Sequence, residues 1–345
     1  MPTIDPDIKL DFSDVLLKPK RSELHSRNDV ILEREFIFKH SNRKWTGIPI
    51  IVSNMDTTGS IEMTKALQKF KIITCLHKYY SVDEICTSIN ALDRNYFAIT
   101  FGVDISKLDE FMEKIEPHFV CLDVANGYSA KFLEVVKEVR RKYPKVTIIA
   151  GNVVTDEMVL ELVISGGADI IKCGIGSGSV CTTRLQTGVG YPQFSAVLDC
   201  ANAAHGVNAH IISDGGIQNV GDFGKAFGAG ADFVMCGSMF AGHEECNFSE
   251  YVIENGKRYD IFYGMSSTRA MEKHSGGMAS YRSAEGKCVK ILHKGKVENT
   301  ILNILGGIRS TMTYIGAEKL KHISKCAHFI RVNHQVNTIY NGKEI

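Results

Sequence analysis

The chain has 345 residues, 44% of them apolar and 23% charged, with a formal net charge of +1, a balance that suits a globular enzyme and excludes a binder tracking nucleic acid through a basic excess. No uncharged apolar run approaches the roughly 18 residues of a membrane helix, and the acidic start lacks an apolar signal core. Ten scattered cysteines without a C-x-x-C pair read as reduced thiols, so a soluble cytoplasmic protein is expected.

Residues 1–47 are polar and irregular, and read as an arm that leads through a short hairpin to the first buried strand. Short apolar runs follow at 49–53, 72–77, 97–103, 119–125, 147–153, 169–175, 210–216 and 232–238. Between them lie stretches of helical period, such as 130–142 (Phe132, Val135, Val136, Val139) and 156–165 (Val159, Leu162, Val163). Eight alternating units with near-continuous apolar strands predict a parallel sheet closed into a (β/α)8 TIM barrel, read as one catalytic domain over 1–345. No G-x-G-x-x-G follows the first strand, so a dinucleotide-binding open sheet is unsupported. After the eighth strand an excursion of low regularity, 242–289, is placed to fold over the barrel mouth, and a helical region, 297–324, should pack back on the barrel.

The most informative stretch is Lys172-Cys173-Gly174-Ile175-Gly176-Ser177-Gly178-Ser179-Val180-Cys181-Thr182-Thr183-Arg184, after the sixth apolar run. Its three glycines let backbone N–H groups approach a ligand. Cys181 beyond them is either an ordinary cysteine after a tight turn or a thiol activated beside backbone donors and a cation. In such a barrel the active site forms at the C-terminal ends of the strands. Those ends carry Ser53-Asn54-Met55-Asp56, His77-Lys78, Asp123-Val124-Ala125-Asn126-Gly127, Gly151-Asn152, the cysteine loop, Ser213-Asp214-Gly215-Gly216 and Cys236-Gly237-Ser238. The last two glycine turns fall where such barrels bind phosphate. Lys78 is a candidate cation beside the reaction, and Glu285 in the excursion a candidate general acid or base. His205, His210, His274 and His322 share no metal-ligand spacing, and Cys173 and Cys236 read as inert core thiols.

With these residues in view the chain resembles the IMP dehydrogenase/GMP reductase family over essentially its whole length. The matching segments are Leu10-Asp11-Phe12-Ser13-Asp14-Val15-Leu16-Leu17, Asn54-Met55-Asp56-Thr57, Asp123-Val124-Ala125-Asn126-Gly127-Tyr128-Ser129, Gly174 through Arg184, Gly188-Val189-Gly190-Tyr191-Pro192-Gln193, Ser213-Asp214-Gly215-Gly216, Gly264-Met265-Ser266-Ser267 and Tyr281 through Lys287. Ala125-Asn126-Gly127, where dehydrogenases usually carry Ala-His-Gly, and the lack of a regulatory insertion after strand two favour the reductase branch. Ser177 stands where the family normally has proline.

The resemblance implies a tetrameric TIM barrel that converts GMP and NADPH to IMP, ammonia and NADP⁺ through a covalent Cys181 thioimidate. Thr183 and Glu285 would protonate the leaving amine, with Lys78 near the purine and cofactor. GMP would lie on Ser179, Asp214, Gly215, Gly216, Gly237, Ser238, Gly264, Met265, Ser266, Arg282, Ser283, Ala284, Glu285 and Gly286, with Asp214 taking the ribose hydroxyls. NADPH would contact Ser26, Arg27, Lys78, Asp123, Val124, Ala125, Ile175, Gly176, Met265, Tyr281 and Arg282. Ser310, Thr311, Met312 and Thr313 complete that set, reaching in from a neighbouring subunit. Arg27 is the expected partner of the 2′-phosphate. A potassium-like monovalent cation would sit at Gly176, Gly178 and Cys181, near Arg184. The rival readings are an IMP dehydrogenase, which uses the same cysteine, and a purine-nucleotide sensor without catalysis.

Overall fold

A computed structural model describes residues 3–277, 280–281 and 283–333. Eight strands, β1 (Ile50–Val52), β2 (Ile73–Cys75), β3 (Phe97–Phe101), β4 (Phe119–Asp123), β5 (Thr147–Val153), β6 (Ile170–Cys173), β7 (His210–Asp214) and β8 (Phe233–Cys236), pair in parallel around a closed barrel. The ring closes where β8 pairs with β1, Val234 opposite Ile50 and Cys236 opposite Val52. Every predicted strand is present in its predicted place, and the chain is a (β/α)8 barrel. β1, β2, β3, β6 and β8 are buried along their whole length, which explains apolar runs without alternation.

The barrel interior changes character from end to end. At the N-terminal ends of the strands the hairpin of Arg34–Ile37 and Lys44–Gly47 plugs the opening. Its Phe36, Phe38 and Trp45 are buried with Phe119, Ile170 and Phe233, and the Phe36 ring lies 4.6 Å from that of Phe233. The arm is thus part of the core rather than a lead-in to it. The middle of the barrel is filled by Ile51, Ile73, Cys75, Ala98, Cys121, Ile149 and Ile212. At the opposite end the filling gives way to charged and amide side chains, described below.

The remaining elements fix what surrounds the mouth. Helix Val297–Ile315 packs against helix Val220–Gly228, as the apolar period over 297–324 predicts. Strand Val15–Leu17 pairs antiparallel with Phe329–Arg331, joining the two ends of the described chain. The excursion is more regular than its composition suggested. Tyr251–Glu254, Lys257–Tyr263 and Cys288–Leu292 form an antiparallel sheet, and Thr268–Ser275 is a helix N-capped by the Ser267 hydroxyl. The first two strands turn at Asn255-Gly256, both at positive φ, the pairing that two-residue hairpins favour.

Candidate active site

Lys172 on β6 is 2% exposed in a strand otherwise built of isoleucine and cysteine, so its ammonium needs partners. It has two: Asp123 Oδ1 from the end of β4 at 2.6 Å and Asp214 Oδ2 from the end of β7 at 2.8 Å. Asn54 donates to Asp123 Oδ2 at 3.0 Å, and Asn152 donates to Asp214 Oδ2 at 2.9 Å and to the Gly174 carbonyl at 2.7 Å. Burial pushes the Asp123 carboxyl up, but Lys172, Asn54 and the more distant Lys78 outweigh it and hold that carboxyl below the usual range. A polar layer therefore floors the mouth.

Above the floor runs the cysteine loop. Gly174 has φ +152°, and a β-carbon there would lie 2.1 Å from the Asp214 carbonyl oxygen, so only glycine lets β6 and β7 close at this level. Gly174→Ala is expected to cost roughly 2–4 kcal/mol of stability, read as a lower thermal midpoint; an unchanged midpoint would show that the loop yields. The Ser177 hydroxyl donates to the Asp214 carbonyl at 3.1 Å and the Gly216 N–H to the Ser177 carbonyl at 3.0 Å, so serine ties the loop to the next strand end. Arg184 bonds Asp11 Oδ2 at 2.9 Å and the Tyr191 carbonyl at 2.6 Å, anchoring the far side of the loop to the N-terminal arm. Thr183–Thr187 forms a single helical turn beyond the glycines.

The excursion reaches this loop through main-chain bonds. Cys181 and Gly286 form an antiparallel bridge, Thr182 N–H donates to the Glu285 carbonyl at 2.8 Å, and Lys287 N–H donates to that of Val180 at 2.9 Å. The outcome is a short relay: the Cys181 thiol donates to Thr183 Oγ1 at 3.3 Å, which donates to Glu285 Oε2 at 2.7 Å. A nucleophile, a hydroxyl and a carboxylate in series can move a proton between an attacking atom and a leaving group.

Two adjoining cavities of about 260 and 180 Å³ open at this mouth. The first is lined by Val124, Ala125, Ile175, Gly176, Cys181, Thr183, Gly264, Ser266 and Glu285, and the second by Ser179, Gly216, Gly237 and Ser238; Asp123, Gly178, Asp214, Gly215 and Met265 border both. Ala284 and Gly286 are tied to the cysteine loop, and the Ser283 hydroxyl donates to Gln186 Oε1 at 3.0 Å. Lys78 is exposed, its ammonium 5.5 Å from the Tyr79 ring centroid. Tyr281 is 83% exposed, and Arg282 lies outside the described residues.

The other expected cofactor residues are not at this mouth. Ser26 caps the turn Arg27–Asp29, which packs on helix Val297–Ile315, the helix that carries Ser310, Thr311, Met312 and Thr313. The Met312 side chain is fully buried in the core, so it offers no surface to a ligand. The hydroxyls of Ser310, Thr311 and Thr313 donate to carbonyls of their own helix. At the loop, the Gly178 carbonyl already accepts the Cys181 N–H at 3.0 Å, and among the described residues no cluster of His, Cys, Asp or Glu could hold a metal. Cys236 is pushed up to about 11 by burial, in keeping with an inert thiol.

Sequence reasoning places Asn54 and Asn152 at the strand ends of the mouth but misses the charge that joins the floor, Lys172. The signal was a lysine inside an otherwise apolar strand. It also set aside His274. That ring stacks on Tyr79 at 3.5 Å and its Nε2 lies 2.7 Å from Asp56 Oδ2, which also meets Tyr263 Oη at 2.8 Å and Lys273 Nζ at 3.0 Å. Burial raises the Asp56 carboxyl, yet these partners outweigh it and hold it low. The cluster fastens helix Thr268–Ser275 to the loop after β1.

A family model for the IMP dehydrogenase / GMP reductase domain matches residues 9–338. The chain is 56% identical to GMP reductase 1 of Mus musculus over 346 residues, covering 99% of this chain and 100% of the relative. It is 56% identical to GMP reductase 2 of Homo sapiens, covering 99% of each, and 54% identical to GMP reductase of Caenorhabditis elegans, covering 100% of this chain and 98% of the relative. With a family model and curated relatives matched along nearly its full length, the chain belongs to the IMP dehydrogenase/GMP reductase family.

Proposed function

We propose that the protein is a GMP reductase, which deaminates GMP reductively to IMP with release of ammonia. The observation that carries this reading is the relay from Cys181 through Thr183 to Glu285 at the mouth. C2 of guanine bears an amino group and is a poor hydride acceptor. When the Cys181 sulfur adds to C2, the thiol proton passes through Thr183 and Glu285 to the amino nitrogen. The C–N bond then breaks, ammonia leaves, and C2 is held as a thioimidate. NADPH, when bound, supplies the hydride to C2. The C–S bond then breaks, and the thiolate regains a proton from solvent.

Asp214 receives the ribose hydroxyls, and Ser179, Gly216, Gly237 and Ser238 line the cavity that takes the phosphate, with backbone N–H groups as donors. Asp123, Val124, Ala125, Ile175 and Gly176 border the side open to the nicotinamide, with Lys78 at its rim. Ser26, Arg27, Ser310, Thr311 and Thr313 lie apart from this mouth and serve the cofactor of a neighbouring subunit in a homotetramer, Arg27 facing the 2′-phosphate. A monovalent cation would take the carbonyls of Gly176, Gly178 and Cys181, with the adjacent Arg184 charge offset by Asp11. The protein then works on cytoplasmic purine nucleotides.

The test is direct. Protein mixed with GMP and NADPH should lower absorbance at 340 nm with ammonia formed in equal amount, and NADH should serve less well. Oxidation of IMP by NAD⁺ without GMP reduction would make it a dehydrogenase, and binding without either reaction a sensor.

A further inference from the structure

Lys172 occupies a position that the reaction above does not use. Its ammonium is buried against the second cavity, and both of its carboxylate partners, Asp123 at the end of β4 and Asp214 at the end of β7, border both cavities. Each carboxylate has one further side-chain donor, Asn152 for Asp214 and Asn54 for Asp123. Without the ammonium, two acidic groups would face each other at the floor of a cavity with one neutral amide apiece. Like charges so placed retain a proton between them, and a protonated carboxyl is a poorer acceptor for ligand hydroxyls.

We propose that Lys172 is a shared positioning residue which keeps both ligand-facing carboxylates ionised, so that one buried charge serves the nucleotide and the cofactor subsites together. This rests on the assignment of Asp214 to the nucleotide and Asp123 to the cofactor. The other titratable groups around the trio are few. Cys121 and Cys75 lie beside Lys172, Cys173 and Cys236 beside Asp214, and Lys78 near Asp123. Hydrogen bonds to the neighbouring thiols of Cys121 and Cys200, with burial, push Cys75 and Cys173 up, and burial pushes Cys236 up to about 11, so these thiols stay protonated at neutral pH. Burial disfavours the Lys172 charge, but Asp123 and Asp214 outweigh it and hold that charge far into the alkaline range. In the native protein, then, Lys172 and Asp123 both keep their charge from pH 6.5 to 9.

The experiment measures dissociation constants by calorimetry for IMP and, separately, for NADPH from pH 6.5 to 9. IMP already carries hydrogen at C2, so it binds without reacting with NADPH. Results are expressed as the ratio of variant to native, which cancels titration of the ligands' own phosphates. Lys172→Met is expected to weaken both ligands by at least about tenfold at pH 6.5, with the ratio falling as pH rises and the carboxylates ionise. Lys172→Arg, which keeps the charge, should stay within a few-fold of native at every pH. A folded Lys172→Met protein that binds either ligand with native affinity, or loses affinity equally at all pH values, overturns the proposal.

If Lys172→Met does not fold, Lys172→Met/Asp123→Asn leaves the net charge of the trio unchanged and decides the matter. With the opposing charge gone Asp214 should stay ionised, so its IMP affinity should remain within a few-fold of native with a flat ratio from pH 6.5 to 9, and a loss of affinity of tenfold or more overturns the proposal. Failure of the native protein to bind IMP at all would instead remove the assignment of the site.

Discussion

Replacing Cys181 with alanine is expected to lower GMP-dependent NADPH oxidation by about four orders of magnitude or more, while IMP binding stays within a few-fold of native. The argument is chemical before it is structural. Without sulfur at C2 the proposed route has no step that makes that carbon a hydride acceptor, and the cavity walls proposed for ribose and phosphate belong to β7, β8 and the glycines of the loop rather than to the thiol. The alanine also leaves the bridge to Gly286 intact, because that contact is main chain to main chain. Steady-state rates at 340 nm give the loss, and intact mass spectrometry of the native protein with GMP should find an adduct on Cys181. A variant retaining a few per cent of native rate would rule out the covalent route.

Glu285→Gln separates the two halves of the reaction. Glutamine keeps the main-chain bonds from residue 285 to Thr182 and Ser266, so the excursion stays seated, but it cannot take up and release a proton as the proposed relay from Thr183 requires. General acid–base groups contribute roughly 10²–10⁴-fold, and a loss of about 10² or more in turnover with GMP is expected. Hydride transfer needs no such proton. It can be read in reverse, since IMP and NADP⁺ without ammonia should yield one equivalent of NADPH as the thioimidate forms. That burst should slow only a few-fold in Glu285→Gln, and equal slowing of both measurements would remove Glu285 from the proton path.

The barrel was legible because strands buried on both faces write themselves as apolar runs, and eight of them were found at regular spacing. The candidate site was legible where its residues lie in loops: the glycines around Cys181, and Asp214-Gly215-Gly216. Three things escaped for physical reasons. Lys172 belongs to a strand, and nothing local says that its ammonium meets carboxylates from β4 and β7. The sheet of the excursion is half exposed, so its strands lack the apolar density that marks the barrel, although Asn255-Gly256 announced the turn. The distance of Ser26 and Arg27 from the mouth depends on docking against a helix about 280 residues later, which no local pattern encodes.

The pairing of Val15–Leu17 with Phe329–Arg331 makes the fold a ring closed by a noncovalent clasp. Just upstream of that clasp Asp11 grips Arg184, and Phe12 lies edge-on to Phe194, itself in contact with Phe329. The Cys181 loop is therefore suspended from the place where the chain meets itself. Opening the clasp would slacken the loop while leaving every barrel strand paired.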